Sequence, residues 1–373
     1  MQNVITERMV PNKVMLVFGA RRVGKTMLLK NICKEHGGRI MTLNGEDRNI
    51  WKLLEPMSSA NYQNLLQGYD LLVIDEAQHI PDIGQKLKFI VDEIQGLKII
   101  ASGSSSFDLK NQAGEPLVGR ATQFTLCPFA LDEIRQTQTN LEIRQNIDER
   151  VIYGSYPEVV TTDNYVSKQE YLTDLVDLYL IKDILAVDGV KNSSKLYALL
   201  QLVAYQVGSE ISYDELGKQL GMSRNTVERY LDLLQKVFVI FRLGGYSGNL
   251  RKEVTKSSKW YFYDVGIRNA IINNFQPLNI RPATEQGALW ENFVISEIIK
   301  RNHNRHGLNK FYFWRTYDQQ EIDLIETDLM GGIKAFEIKL HKARAKCPIA
   351  FQNAYPNASF QIINKDNYHE FLL

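Results

Sequence analysis

The feature that most constrains the fold is an eight-residue run, Gly19 to Thr26, which follows the apolar segment Val14 to Phe18 and precedes Met27 to Leu29. It reads G-A-R-R-V-G-K-T and matches the spacing G-x-x-x-x-G-K-T. Its two glycines let the backbone turn tightly around an anion, and the start of a helix adds the positive end of a dipole. The run therefore predicts a strand, a phosphate-binding loop and a helix, in that order.

The predicted ligands of this loop are ATP and Mg²⁺. Lys25 is predicted to neutralise the β- and γ-phosphates, and the hydroxyl of Thr26 is predicted to ligate the metal. The residues predicted to line the nucleotide site are Gly19, Ala20, Arg21, Arg22, Val23, Gly24, Lys25 and Thr26.

A second apolar run, Leu71 to Ile74, ends in two adjacent carboxylates, Asp75 and Glu76. The carboxyl ends of parallel strands meet at one edge of a sheet, so these acids are expected beside the phosphate loop. We predict that Asp75 holds the metal and that Glu76 orients and deprotonates the attacking water. A carboxylate in that position favours hydrolysis over phosphorylation of an acceptor.

Two further residues are candidates for catalysis, each with an alternative. Ser104 follows the run Leu97 to Ala101 and is placed to sense the γ-phosphate, although serines after a strand also cap helices. Arg120 is placed to contact the γ-phosphate of its own or a neighbouring subunit of a homo-oligomer, and the alternative is a surface ion pair.

The pattern of apolar runs predicts an α/β fold. Runs at Val14 to Phe18, Arg39 to Leu43, Leu71 to Ile74 and Leu97 to Ala101 alternate with helix-forming stretches. This alternation indicates a parallel sheet flanked by helices. A run at Thr122 to Leu126 is expected to form an edge strand, because the nearby Pro128 cannot continue a central ladder.

Further along the chain the pattern becomes helical from Asn140 to about Leu200. Two short helices are then predicted around the turn Gly221 to Ser223, with Ser223 capping the second. Strands at Phe238 to Leu243 and Trp260 to Tyr263 follow, which is the layout of a winged helix. The last part of the chain is predicted to hold a helix at Gly287 to Lys300 and the strands Phe311 to Arg315, Glu321 to Glu326 and Ile333 to Leu340.

Taken together, these segments resemble a family of bacterial and archaeal AAA-type ATPases, in which a P-loop core precedes a winged helix and a restriction-endonuclease-like domain. The likeness implies ATP binding and hydrolysis in an ASCE-type core. At Ser155 this chain departs from the second glycine that the family often carries. The segments that carry the resemblance are Gly19 to Thr26, Leu71 to Gln78, Gly103 to Ser105, Leu117 to Arg120, Gly154 to Glu158, Tyr263 to Gly266, Gly287 to Phe293 and Glu321 to Asp323.

The predicted organisation has four parts. Residues 1–136 form the P-loop ATPase core, 137–200 a helical linker or lid, 201–280 the winged helix and 281–373 a small nuclease-like α/β domain. In the last part, Glu291, Asp323, Glu337 and Lys339 match a PD-(D/E)XK pattern, in which two carboxylates bind Mg²⁺ and a lysine stabilises a pentavalent phosphate. The alternative is a chance string of charges on an exposed hairpin.

Contact with DNA is predicted for one local basic surface. Arg224, Asn225 and Arg229 lie on the second helix of the winged element, and the segment Arg251 to Lys259 forms its wing. A solvated helix face is the alternative. Lys and Arg number 44 against 43 Asp and Glu, so no global field directs the protein to nucleic acid or a membrane.

The remaining composition favours a cytoplasmic protein without a membrane segment. Three cysteines lie far apart without a C-x-x-C pair, and no apolar run approaches the roughly 20 residues that span a bilayer. Three functions follow as hypotheses. The first is an ATP hydrolase coupled to the later domains, the second a nucleotide-gated scaffold with negligible turnover, and the third an ATP-regulated metal-dependent DNA endonuclease.

Overall fold

The computed structural model describes residues 1–104, 117–180, 193–247, 258–341 and 345–373, with two sheets and the helices around them. Contacts within the chain divide it into two compact units. The first comprises residues 1–127, 236–238 and 303–306, and the second comprises 128–235, 239–302 and 307–373. The finer division into four domains stays a prediction. No described helix is both long enough and apolar enough to cross a bilayer.

The sheet of the first unit is parallel throughout, as predicted. Its strands are β1 (Val14–Phe18), β2 (Ile40–Asn44), β3 (Leu71–Asp75), β4 (Lys98–Gly103) and β5 (Ala121–Thr125), in the order β2-β3-β4-β1-β5. Strand β5 pairs only with β1 among the described strands, so the predicted edge position is confirmed. Strand β4 lies between β1 and β3, which places its polar end between the phosphate loop and the two acids.

The helices of this unit lie beside the sheet and bury their apolar sides. They are α1 (Gln2–Arg8), α2 (Lys25–Glu35), α3 (Arg48–Leu54), α4 (Ser59–Leu66) and α5 (Ile83–Glu93), with a 3₁₀ turn at Ala77–His79. The side chains of Asp47 and Ser58 cap α3 and α4 by accepting from backbone N–H groups. Leu16 and Ile99 on the strands and Ile90 on α5 belong to one core, where each buried side chain contributes about 1.5–3 kcal/mol.

Between Asn140 and Leu200 the described residues are mostly helical, as predicted, and further helices follow among the strands of the second sheet. Ser223 accepts from the backbone N–H of Thr226, as predicted for a cap. The helices are α6 (Leu131–Ile134), α7 (Asn140–Gln145), α8 (Ile147–Tyr153), α9 (Pro157–Thr161), α10 (Tyr165–Asp174), α11 (Ser193–Tyr205), α12 (Tyr213–Leu220), α13 (Arg224–Lys236), α14 (Val265–Ile271), α15 (Ala283–Asn304), α16 (Ile349–Ala354) and α17 (Tyr368–Leu372). A π-helical turn spans Leu175–Leu180 and a 3₁₀ turn spans Leu278–Ile280.

The second sheet joins the predicted hairpin to the C-terminal strands. Its members are β6 (Ile240–Gly245), β7 (Ser258–Phe262), β8 (Lys310–Arg315), β9 (Glu321–Thr327), β10 (Ile333–Ile338) and β11 (Ser359–Ile363), in the order β11-β10-β9-β8-β6-β7. Strand β6 is antiparallel to β7 and parallel to β8. Strand β11, which pairs in parallel with β10, was absent from the sequence prediction. The assignment of α12, α13 and the hairpin to a winged helix stays a prediction.

A buried carboxylate, Asp264, joins two segments of the second unit that are far apart in sequence. It caps α14 by accepting from the N–H groups of Gly266 and Ile267, at 2.9 and 3.3 Å. It also accepts from the N–H of Ser155 at 2.7 Å, just after α8. Burial raises the pKa of Asp264, and Lys300 and these N–H groups oppose the increase. Gly154 has φ +72°, and a Cβ there would lie 1.9 Å from the Asp264 carboxylate.

Replacing Gly154 by alanine is expected to destabilise the second unit by roughly 2–4 kcal/mol. The added methyl group displaces the buried carboxylate, and the left-handed backbone disfavours any side chain. Urea unfolding of the full chain measures the loss. Gly244→Ala is the matched control, because a Cβ at Gly244 meets nothing within 4 Å. Unfolding of the Gly154 variant at the wild-type urea concentration would contradict this account.

Candidate functional site

The predicted phosphate loop lies between β1 and α2 in the first unit. A Cβ at Gly19 would lie 2.2 Å from the carbonyl oxygen of Leu126, so the start of the loop requires glycine. Gly24 has φ 100° and ends the loop as the residue before α2. Arg22 has φ 65°, a left-handed conformation that is uncommon for a residue with a side chain. The loop thus combines tight packing with strained backbone at the helix N-terminus.

The side chain of Lys25 crosses this loop. Its ammonium donates to the carbonyl oxygens of Gly19 and Ala20, at 3.1 and 3.0 Å. The residue is only 4% exposed, which is unusual for lysine. The charge is therefore held at the centre of the loop, where an anion cradled by backbone N–H groups would meet it.

The carboxylate of Asp75 joins the loop to the ends of β3 and β4. The hydroxyl of Thr26 donates to its Oδ2 at 2.7 Å, and the hydroxyl of Ser102 donates to its Oδ1. The backbone N–H of Glu76 also donates to Oδ1, at 3.1 Å. The Thr26 hydroxyl and the Asp75 carboxylate present hard oxygen atoms side by side, which is the donor type that Mg²⁺ binds. The residues fit the predicted metal.

The next residue, Glu76, has a left-handed backbone with φ 49°, a conformation that costs roughly 1–3 kcal/mol for a non-glycine residue. Its Oε2 accepts from Nε2 of Gln78 at 2.6 Å. The same amide nitrogen donates to Oγ of Ser104 at 3.2 Å. Gln78 thus connects the predicted base to the predicted sensor serine.

Sequence reasoning placed Lys25, Thr26, Asp75, Glu76 and Ser104 at one edge of the sheet, and the structure brings them together there. Their catalytic roles stay predictions. Two contributors were missed, Ser102 and Gln78. Ser102 lies two residues before Ser104 on β4, so the alternation of strand side chains could have indicated it. Gln78 gave a weaker signal, because its direction depends on the 3₁₀ turn after the acids.

The prediction that Arg120 contacts a γ-phosphate needs correction for the nucleotide of its own chain. It directly precedes β5, and its carbonyl accepts from the N–H of Val14, at the beginning of β1. The phosphate loop follows the opposite end of β1, so Arg120 does not reach the nucleotide of its own chain. Its Nε contacts Oδ1 of Asp92 at 2.7 Å, which is the surface ion pair weighed as an alternative. Action on a neighbouring subunit stays a prediction.

The predicted second site is a cluster of ion pairs in the second unit. Lys339 contacts Glu337 at 2.7 Å and Asp323 at 3.6 Å. Oδ2 of Asp323 also accepts from the N–H of Ile338 at 2.7 Å. Glu291, on α15, accepts from the hydroxyl of Tyr261 at 2.6 Å. Lys339, Glu337 and Asp323 therefore lie together, and the Glu291 carboxylate interacts electrostatically with Asp323. The role of the set as an active site stays a prediction.

Burial and neighbouring charges shift the pKa values of several groups in this cluster. Burial and, after it, the Asp323 carboxylate raise the pKa of Glu291 from 4.5 to about 7, while Lys259 and Tyr261 oppose the increase. Burial and Asp323 also raise the pKa of Glu337. Burial would lower the pKa of Lys339, but the carboxylates around it raise the pKa overall.

The arrangement does not fit an open metal site. Lysine charges already balance the carboxylates of the predicted set: Lys339 pairs with Glu337 and Asp323, and Lys259 pairs with Glu291. Across the described ranges, no group of three or more His, Cys, Asp or Glu side chains is arranged to hold a metal ion. We therefore derive no metal-dependent step from this cluster.

The predicted basic surface needs one correction. Lys259 is 3% exposed and forms ion pairs with Glu321 and Glu291, so it is an internal counter-ion and does not belong to an exposed wing. The rest of the wing, Arg251, Lys252 and Lys256 included, lies outside the described residues. On α13, Arg224, Asn225 and Arg229 are exposed, and Arg224 contacts Asp214 at 3.2 Å. Contact with DNA stays a prediction.

Residues 11–135 match the AAA domain family. With the parallel sheet and the loop described above, this match supports a nucleotide-binding ATPase domain. Residues 144–278 and 286–370 match two further families, each described as a domain of unknown function (DUF8612 and DUF4143). Neither description bears on a winged helix or a nuclease.

Similar proteins align with most of this chain. An uncharacterized protein of Mycobacterium tuberculosis is 28% identical over 87% of this chain and 70% of its own length. One from Haemophilus influenzae is 23% identical, over 96% of this chain and 88% of its own.

Solved structures show weaker likenesses. A signal transduction ATPase with a tetratricopeptide repeat sensor from Pyrococcus horikoshii has a TM-score of 0.33 and 12% identity, over 80% of this chain and 44% of that chain. A RuvB protein of Thermotoga maritima has a TM-score of 0.32 and 16% identity, over 65% and 85%. With TM-scores this low, neither likeness bears on the function of this chain.

Replacing Glu291 by glutamine is expected to remove a pH-dependent cost from the second unit. Because folding raises the pKa of Glu291, its protonated form contributes to the stability of the folded state. This contribution is complete below pH 4.5 and is lost as the pH rises through about 7. The glutamine variant should therefore match the wild type near pH 4.5 and exceed its free energy of unfolding by about 3 kcal/mol at pH 8. Urea unfolding with EDTA present measures both. A constant difference across this range would contradict the assigned titration.

Proposed function

We propose that this chain is a Mg²⁺-dependent ATP hydrolase, with catalysis at the edge of the parallel sheet. The observation that carries the proposal is the contact of Thr26 with Asp75, which joins the phosphate loop to the strand whose next residue is Glu76. The match of residues 11–135 to the AAA domain family supports the same conclusion.

The loop binds the triphosphate by its backbone and by one charge. N–H groups at the start of α2 donate to phosphate oxygens, and the helix dipole favours the anion. Lys25 exchanges its bonds to the carbonyls of Gly19 and Ala20 for bonds to the β- and γ-phosphates. Because Lys25 is already buried within the loop, little side-chain freedom is lost on binding.

Two residues would hold the metal. Thr26 would ligate Mg²⁺ and Asp75 would hold it through water, because their adjacent oxygen atoms are the donor type that the ion prefers. When bound, the metal ion neutralises charge that develops on the phosphate oxygens. Ser102, which donates to Asp75, orients the carboxylate for this contact.

Glu76 acts as the base. Its carboxylate accepts a proton from water as the water oxygen forms a bond to the γ-phosphorus. The bond between that phosphorus and the bridging oxygen of ADP breaks, and the products are ADP and phosphate. Ser104, at the end of β4 between loop and base, contacts the γ-phosphate.

In this proposal the nucleotide state of the ATPase domain acts on the domains that follow it in the chain. The exposed residues Arg224, Asn225 and Arg229 lie in the first half of α13, and they make this helix the candidate contact for DNA. Arg120 acts on a neighbouring subunit in this proposal, exchanging Asp92 for a γ-phosphate. A second copy of the chain and a DNA duplex are accordingly the proposed partners.

Two variants test the hydrolase. Glu76→Gln should retain ATP binding and lower phosphate release at least about 100-fold, because the base is lost. Lys25→Ala should weaken ATP binding roughly 100-fold through loss of a charge-assisted contact. Phosphate release and calorimetric ATP titration measure the two effects, and Glu35→Gln on the exposed end of α2 is the control. Bound ATP with no turnover in the wild type would instead support a nucleotide-gated scaffold.

Metal-dependent cleavage of DNA is the second candidate; Asp323, Glu337 and Lys339 lie close together, but their ion pairing disfavours this activity. The ion-paired cluster leads us to expect no cutting of supercoiled plasmid in Mg²⁺ and ATP. Asp323→Asn and Glu35→Gln proteins serve as matched controls. Cutting by the wild type and the Glu35 variant, lost in the Asp323 variant, would show that the cluster is a nuclease site.

A further inference from the structure

The side chain of Gln78 connects the two residues that the proposed hydrolysis uses on either side of the γ-phosphate. Its Nε2 donates to the carboxylate of Glu76 at 2.6 Å and to the hydroxyl oxygen of Ser104 at 3.2 Å. An amide nitrogen carries two hydrogens, so both bonds form at once. Glu76 follows β3 and Ser104 follows β4, so this one amide group spans two neighbouring strands.

The orientation of this amide follows from charge. With the amide reversed, its oxygen would face the Glu76 carboxylate at hydrogen-bond distance, and two acceptors would repel each other. A bond from an amide to a carboxylate is charge-assisted and shorter than a neutral one, as the 2.6 Å distance is. The contact with Glu76 therefore determines which way Gln78 points.

The other end of the amide is unusual. Oε1 of Gln78 is buried and has no hydrogen-bond partner within the described part of the chain. A buried acceptor without a donor is costly, and such groups often mark functional sites. Among the described residues, Gln78 thus leaves one amide oxygen unpaired, at a cost in stability.

We propose that Gln78 is a positioning residue that holds Glu76 and Ser104 in one fixed relation, so that the γ-phosphate contacted by Ser104 and the water activated by Glu76 are aligned. Because Ser104 accepts from Gln78, its own hydroxyl hydrogen stays available for a phosphate oxygen. Glu76 needs such a support, since its strained backbone alone does not determine the direction of its side chain. The inference rests on the proposed hydrolysis and extends it to the alignment of base and sensor.

The test compares wild type, Gln78→Met, Ser104→Ala and the double variant. Methionine has a similar size and no N–H donor, so kcat for phosphate release should fall roughly 10- to 100-fold. The Kd for ATP, measured by calorimetry, should stay within about twofold, because the hydrogen bonds of Gln78 go to Glu76 and Ser104 and not to the loop or Lys25 in the described part of the chain. The double variant should lose less than the product of the two single losses, because both changes break the same Gln78–Ser104 bond.

Gln85→Met, an exposed glutamine on α5 of the same unit, is the matched control and should keep the wild-type kcat. Gln78→Glu provides a second variant of nearly identical shape that loses both donors, and it should also be slow with ATP binding retained. Unchanged kcat in both Gln78 variants, or losses in the single variants that multiply in the double variant, would overturn the proposal.

The two proposals fail in different ways. If the wild-type protein binds ATP and releases no phosphate, the proposed hydrolysis is wrong. If Glu76→Gln abolishes release while both Gln78 variants turn over at the wild-type rate, hydrolysis stands and the role of Gln78 is wrong.

Discussion

The hydrogen bonds received by the Asp75 carboxylate connect the parts of the nucleotide site. One comes from Thr26 at the start of α2, one from Ser102 on β4 and one from the backbone of Glu76. A carboxylate is an acceptor only, so it can bring together several donors from separate elements at one point. This one residue positions the loop, the oxygen atoms proposed to bind the metal and the proposed base, Glu76.

In the second unit a buried carboxylate also joins separate segments, and there its role is structural. Asp264 receives N–H groups from α14 and from Ser155, and its burial is tolerated because each oxygen has donors. The motif segments around Gly154 and Asp264 thus serve to pack the helices. The same reasoning applies to Lys259, Glu291 and Glu321, where opposite charges compensate one another inside the unit.

Much of the first unit could be predicted from the sequence, since its signals are local. A run of apolar residues, two glycines, a lysine and a threonine predicted the strand, loop and helix, and the acids after β3 were expected at the same edge. Bridges between elements were harder to predict. Gln78 contacts Ser104 across 26 residues, and its partners depend on the turn after Glu76.

The sequence by itself determined the parallel α/β unit, the phosphate loop and the acids beside it, because backbone conformation and strand direction follow from nearby residues. Tertiary structure alone decided that Lys259 is buried, that Arg120 lies at the other end of β1 from the loop, and that the hairpin β6–β7 shares a sheet with β8. Each of these outcomes depends on which distant segments pack together, and burial and charge pairing arise only from that packing.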